Sequence, residues 1–265
     1  METTSPALEP VSQQCVLVHQ NKILVDSESR FIFSEAELSR ALGSSLLSHA
    51  AERFSLSERL FLYRLPSAQD CGEFVWVRLR ELLGVLSEAN FQLAGRAIQI
   101  SHWHMTHRYC GRCGSPTVIS DEEFRLDCEQ CEINYFPRIS PCVIGLITRG
   151  EECLLARGVR HPEPMFSTLA GFIEVGENAE QAFVREVKEE VSVHVHKLQY
   201  AGSQPWPFPG QLMIAFTAEY LSGEIVIDPK EIVEAKWFHY DNLPLVPPEH
   251  SIAGRLIQSF VRSHR

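Results

Sequence analysis

A chain of 265 residues, 45% hydrophobic and 22% charged, has the make-up of an ordinary soluble protein of one large or two modest domains. Its net charge of −10 excludes broad binding to long nucleic acid, which needs a basic surface, and leaves only local recognition of a nucleotide or a strand end. No apolar run approaches the roughly 18 residues that span a bilayer, and METTSPALEP at the start lacks the basic and apolar parts of a secretory signal, so no membrane partner and a cytoplasmic location are expected.

Residues 1–104 are expected to form an α+β domain that carries no active-site signature. Strand-like runs fall at residues 15–18, 30–33 and 74–77. Residues 81–103 read as helix, with Leu82, Leu83, Leu86, Phe91, Leu93, Ile98 and Ile100 as its apolar positions.

Residues 105–137 hold Cys110-x-x-Cys113 and Cys128-x-x-Cys131. Each pair offers two thiolates from one tight turn, and two such turns close a tetrahedron around Zn²⁺. Four thiolates leave zinc no open position, so the metal is expected to be structural. His102, His104 and His107 lie just upstream, but the shell is already full, and they read as solvated or partner-bonded side chains. Cys15, Cys71, Cys142 and Cys153 are scattered among apolar residues and read as small buried hydrophobes.

Residues 138–265 alternate strands and helices. Residues 142–148 and 152–156 are expected to pair around Arg149-Gly150. A helix is expected at Ala179–Val191, with Asn178 and Gln181 forming a capping box. Further strands are expected at 196–201, 212–220 and 224–227, and a closing helix at 252–261. The fold class is α/β (α+β), with sheet strands covered by helices.

The central helix carries the chemistry. Glu186, Glu189 and Glu190 fall within an arc of about 100°, beside an apolar stripe of Phe183, Val187 and Val191. Like charges at helical spacing repel by about 0.2–0.5 kcal/mol per pair. A hard cation with oxygen ligands, Mg²⁺ or Mn²⁺, would offset that repulsion. A solvated acidic face partnered by Arg185 and Lys188 is the plain alternative. Downstream, Ser203-Gln-Pro-Trp-Pro-Phe-Pro209 alternates prolines with Trp206 and Phe208, which predicts a stiff, extended backbone offering rigid faces to a flat base.

The stretch from Gly171 through Glu177 and Arg185 to Val193 resembles the Nudix box, G-x5-E-x7-R-E-U-x-E-E-x-G-U, with U a bulky aliphatic residue. Ser192 stands where that family has glycine, at a left-handed helix end that costs a non-glycine residue about 1–2 kcal/mol. The proline-aromatic motif resembles the SQPWPFPxS signature of NADH pyrophosphatases, with Gln211 in place of the last serine. YCGRCG, FQLAGRAIQ and Asp228-Pro-Lys-Glu231 extend the resemblance.

The resemblance implies a Nudix α/β/α sandwich with a mixed sheet, preceded by a zinc ribbon and the α+β domain. It implies that Glu186, Glu189 and Glu190 are catalytic and bind Mg²⁺ or Mn²⁺, with the Ala170 carbonyl and Glu231 as further ligands. Glu177 and Arg185 would hold loop and helix together. Substrate contacts are implied for Phe172, Gln204, Pro205, Trp206, Pro207, Phe208, Pro209, Gly210, Gln211 and Glu231. Glu123, Phe136, Arg80 and Ala253 are implied as further contacts, with Phe136 in a place held by tyrosine in the family. The implied reaction is hydrolysis of NAD(H) to nicotinamide mononucleotide and AMP, or the same cut on NAD-capped RNA 5′ ends, by a homodimer. Two alternatives stay open: a Nudix enzyme for ADP-ribose or dinucleoside polyphosphates, and a zinc-ribbon nucleic-acid-binding regulator without catalysis.

Overall fold

The computed structural model describes residues 13–43, 47–50, 52–68, 71–120, 122–159 and 163–265. The METTSPALEP stretch lies outside the described residues. Two compact units divide the chain, Met1–Arg138 and Ile139–Arg265.

In the first unit, short apolar runs build β1 (Gln14–His19), β2 (Lys22–Val25) and β5 (Leu60–Arg64), with β3 (Phe33–Ser34), β4 (Glu52–Ser55) and β6 (Val75–Arg78) beside them. These make one sheet in the order β4-β5-β1-β2-β6, with β3 paired to β1. Helix α1 (Glu35–Leu42) starts on a Ser34 capping box. Leu17, Leu24, Phe33, Leu38 and Leu65 fill the core, together with Cys15 and Cys71, so these two cysteines are the small apolar fillers expected.

The helix expected at 81–103 forms instead as α2 (Glu88–Thr106), after a 3₁₀ turn at Leu79–Leu82. Gly84 at φ 79° breaks the path, and the Ser87 hydroxyl caps a fresh start by accepting from Asn90 N–H. Only Phe33 of the expected 30–33 strand pairs, because Arg30 turns back to Asp26 and Glu37. Three short strands, β7 (Val118–Ile119), β8 (Leu126–Cys128) and β9 (Ile133–Tyr135), frame the cysteine pairs.

The second unit has β10 (Ser140–Arg149), β11 (Glu152–Gly158), β12 (Leu169–Phe172), α3 (Ala179–Val191), β13 (His194–Trp206), β14 (Gln211–Ser222), β15 (Ile232–His239) and α4 (Ile252–Ser263). The sheet runs β13-β14-β10-β11-β15, with β12 also on β10. It is mixed: β10 is parallel to β14 and antiparallel to β11 across the Gly150 turn. Alternation along β10 sends Val143 and Ile147 to a core with Phe183, Val187 and Val191 of α3. It sends Ile144 and Leu146 to a second core with Leu256, Ile257 and Phe260 of α4. The expected α/β/α sandwich results. Gly145 is required at its centre, since a Cβ there would lie 2.4 Å from the Phe183 ring.

Residues 224–227 are not a strand. Val226 N–H donates to the Val191 carbonyl and Asp228 N–H to that of Glu190. The segment therefore caps the open C-terminal carbonyls of α3 rather than pairing in the sheet. The sheet edge is formed by β15, a strand the sequence pattern did not disclose. Ser192 takes the left-handed conformation expected of it, φ 60° and ψ 19°. Replacing Ser192 with glycine removes that strain, less the extra chain entropy glycine brings, for a net gain of about 0.5–1 kcal/mol. Calorimetry of Ser192→Gly is expected to show a rise of roughly 2 °C or more in the melting of this unit. A lower melting temperature would mean that the serine is not strained there.

Candidate functional site

Two clusters of metal-ligating side chains stand out among the described residues. The four sulfur atoms of Cys110, Cys113, Cys128 and Cys131 all lie within 4.8 Å of one another, as one tetrahedral Zn²⁺ requires. Gly114, at φ 74°, makes the turn out of the first pair. The Tyr135 hydroxyl and the Cys113 backbone pull the Cys110 thiol down to about 6, towards the thiolate that zinc binds. The nearby histidines are elsewhere engaged: His107 Nδ1 bonds the Trp103 carbonyl at 3.0 Å, and buried His104 faces Glu52. His102 is exposed.

The second cluster is Glu186, Glu190 and Glu231, with one oxygen from each inside 4.8 Å. The capping box of Asn178 with Gln181 starts α3, and Phe183, Val187 and Val191 bury its inner face. That burial carries Glu190 inward until it is only 6% exposed. Burial, with Glu186 and Glu231 alongside, pushes its carboxyl up to about 8, and burial raises Glu186 as well. Among the described residues, Glu190 Oε2 has no hydrogen-bond partner. A buried carboxylate oxygen with no donor, facing two more carboxylates, is a fitting place for a hard divalent cation.

Several backbone features hold this arrangement. Glu186 keeps its place only because residue 171 is glycine: a Cβ there would lie 1.9 Å from the Glu186 carboxyl carbon. Ala170 lies beside it on β12, opposite Ile144. Asp228 N–H bonds the Glu190 carbonyl, and Glu231 N–H bonds the Asp228 carbonyl at 3.1 Å, so one turn delivers Glu231 to the helix. Arg185 grips both Glu177 oxygens, at 2.7 and 2.9 Å, and the Phe172 carbonyl at 2.9 Å. It also reaches Glu186 and Glu189, each at 2.9 Å. Glu189 stands outside the three-carboxylate cluster, with its side chain 60% exposed. In this geometry it is therefore paired with Arg185 and not with the other acids.

The proline-aromatic motif is not extended throughout. It closes β13 at Trp206 and turns over Pro207, Phe208, Pro209 and Gly210 into Gln211 of β14. Trp206 and Phe208 pack edge to face, with centroids 5.1 Å apart. Gly210 accepts from Ser140 N–H at 2.8 Å, while Pro141 accepts from Ile173 N–H at 3.2 Å. The start of β10 thus has the aromatic turn on one side and the loop before α3 on the other. Phe172 is exposed, and Ala253 is buried in the first turn of α4. Pro205 is exposed and Pro207 buried.

Gln204 anchors the motif from beneath. It is buried, its amide nitrogen donates to the His250 carbonyl at 2.9 Å, and its oxygen accepts from Ile252 N–H at 2.7 Å. It clamps the motif to the start of α4. In the other unit, Arg80 lies exposed in the 3₁₀ turn, Glu123 pairs with Arg125, and Phe136 is exposed. Sequence reasoning missed Tyr135 and the Asp228 turn. The Asp-Pro pair at 228–229 was the available signal for that turn.

Two outcomes follow. A carboxyl whose folded value lies above its unfolded one binds its proton more tightly when folded, so stability is present at low pH and lost as pH rises. In protein stripped of divalent ions, melting of the second unit is expected to fall between about pH 4.5 and 8, and Glu190→Gln to flatten that fall. Added Mg²⁺ or Mn²⁺ should raise the wild-type melting temperature at pH 8 and leave the variant unmoved; equal shifts in both would remove Glu190 from the cation site. Gly171→Ala is expected to fold, with Glu186 displaced and cation affinity at least about tenfold weaker by titration calorimetry. Unchanged affinity would show that Glu186 does not need its present position.

Comparisons with known proteins bear on the same regions. Three family models match in succession: a NADH pyrophosphatase-like rudimentary NUDIX domain at residues 12–103, a NADH pyrophosphatase zinc ribbon domain at 106–136, and a NUDIX domain at 137–260. A NAD-capped RNA hydrolase NudC of Salmonella heidelberg is 53% identical over 171 residues, and one of Salmonella typhi is equally similar. Each match covers 64% of this chain and 66% of the relative, so just under two thirds of the relatives' length is spanned. A solved NUDIX hydrolase from Nitrosomonas europaea superposes with a TM-score of 0.50 at 20% identity, over 59% of this chain and 93% of that one, and shares the fold. With these models tiling it almost from end to end, the chain belongs to the Nudix family, in the branch that joins a rudimentary Nudix domain and a zinc ribbon to the Nudix domain.

Proposed function

We propose that this chain is a hydrolase that cuts the pyrophosphate of NAD(H), giving nicotinamide mononucleotide and AMP, and makes the same cut on NAD-capped RNA 5′ ends. One observation carries the reading. The start of β10 bonds the aromatic turn through Ser140 and the loop beside the carboxylates through Pro141. A base-binding surface and a cation-binding cluster therefore flank a single strand end. The names borne by the Salmonella relatives support the choice of substrate.

Glu186, Glu190 and Glu231 would hold the cation, Mg²⁺ or Mn²⁺, with the Ala170 carbonyl as a further ligand of the proposal. A divalent cation there supplies positive charge to the pyrophosphate oxygens and acidifies water. The protein's own part is positional. Arg185 fixes Glu186 and the loop through Glu177, and burial keeps Glu190 aimed inward. Glu189, held by Arg185 at the rim, is a carboxylate that can turn towards a second cation or take a proton. Trp206 and Phe208 offer the faces for a flat base, and Phe172 stands exposed beside Gly171. Gln204 supports that surface through α4.

The division into residues 1–104, 105–137 and 138–265, a homodimer and a cytoplasmic location complete the proposal. Among the described residues no helix is long and apolar enough to cross a membrane. A net charge of −10 favours reading a single terminal nucleotide over gripping an RNA body.

The test is a product assay with NADH, ADP-ribose and NAD-capped RNA side by side. Metal-dependent release of nicotinamide mononucleotide from NADH or the capped RNA is the expected result. Turnover of ADP-ribose alone would leave the hydrolase and change its substrate; no turnover, with salt-dependent binding of plain RNA, would favour a regulator. Trp206→Ala is expected to raise KM for NADH roughly tenfold or more while the melting temperature barely moves, since a stacked base contributes about 1–3 kcal/mol. An unchanged KM would make the motif scaffold.

A further inference from the structure

The zinc ribbon contains a group that neither the ligand pattern nor the hydrolase reading accounts for. Tyr135 ends β9, the strand leading out of the second cysteine pair. Its hydroxyl reaches back to the first pair, 3.1 Å from Cys110 Sγ and 3.1 Å from Gly111 N. The direction of both bonds follows from chemistry. An amide N–H can only donate, so the hydroxyl oxygen accepts from Gly111. That leaves the single hydroxyl proton for the sulfur, which as a zinc ligand has no proton of its own to give.

The ring is held as well. It packs against His107 with centroids 5.9 Å apart, and His107 is bonded to the Trp103 carbonyl at the end of α2. One side chain thus joins the first cysteine turn, the strand after the second, and the end of α2. Four thiolates around one Zn²⁺ carry a net charge of −2, and donors to the sulfurs offset it. Arg112 N–H is one donor to Cys110, at 3.4 Å, an ordinary length for a bond to sulfur. The Tyr135 hydroxyl is the nearer one.

We propose that Tyr135 is a positioning residue of the zinc site: its hydroxyl donates to the Cys110 thiolate, ties the two cysteine turns together, and slows loss of the metal. The claim concerns the ribbon and stands whether or not the chain hydrolyses NAD(H).

The test uses the full-length zinc-loaded protein and Tyr135→Phe, which keeps the ring and removes only the hydroxyl. Zinc transfer to a chromogenic chelator is expected to be about tenfold faster in the variant. In cobalt-substituted protein, loss of the donor should move the sulfur-to-cobalt charge-transfer band to longer wavelength, a change that loosened packing alone does not produce. Tyr109→Phe is the control: that tyrosine precedes Cys110, is exposed, and should alter neither reading. Purification of Tyr135→Phe without zinc, while the second unit melts normally, is the extreme form of the expected result. Equal release rates and identical cobalt spectra in Tyr135→Phe and wild type would overturn the proposal.

Discussion

Arg185 is the tie on which the second unit's arrangement rests. A single guanidinium holds Glu177 in the loop, the Phe172 carbonyl on β12, and Glu186 and Glu189 on its own helix. A planar fork with five donors can satisfy such a set, which an ammonium could not. Without it, three acidic residues on one helix face and one in the loop would repel. With it, the loop closes onto α3, Gly171 lies against the Glu186 carboxyl, and the carboxylates take up a shared centre.

That centre carries a cost the fold accepts. Glu190 is buried beside two other acids and, among the described residues, has an oxygen without a donor. Burying such a group without a partner opposes folding by amounts comparable to a lost charged hydrogen bond. The surrounding packing is strong enough to hold it there: Phe183, Val187 and Val191 sit against Val143 and Ile147, and Gly145 admits the Phe183 ring. The strained Ser192 and the cap from residues 226–228 close the far end of the same helix. A strained residue and an unsatisfied charge thus sit on one helix, Ser192 at its end and Glu190 on its buried face.

The two metal-binding clusters use opposite chemistry. The cysteine site is closed, soft and made by short-range turns, with Tyr135 bracing it from the next strand. The carboxylate cluster is hard and is assembled from a helix and a turn some forty residues further on. The closed thiolate shell suits a structural ion.

Local patterns were enough to read the Ala179–Val191 helix, its Asn178 cap, the Gly150 hairpin and the cysteine pairs from the sequence alone. Each depends on residues a few positions apart, where periodicity, capping and turn chemistry act directly. The left-handed Ser192 was legible only through the resemblance, from the glycine that the Nudix box has at that place. The role of residues 224–227 was not, because an apolar run of that length fits a strand or a helix cap equally, and only the open carbonyls of α3 select the cap. Nor was the separation of Glu189 from its neighbours, the engagement of Gln204 by α4, or the reach of Tyr135 to Cys110. Helical spacing placed the three acids on one face, but a guanidinium and a distant turn decided which carboxylates meet. Sequence determined the central helix, the hairpin before it and the kinds of ligand. Tertiary structure decided which of those ligands share a site, because hydrogen bonds between residues far apart in the chain carry no local signature.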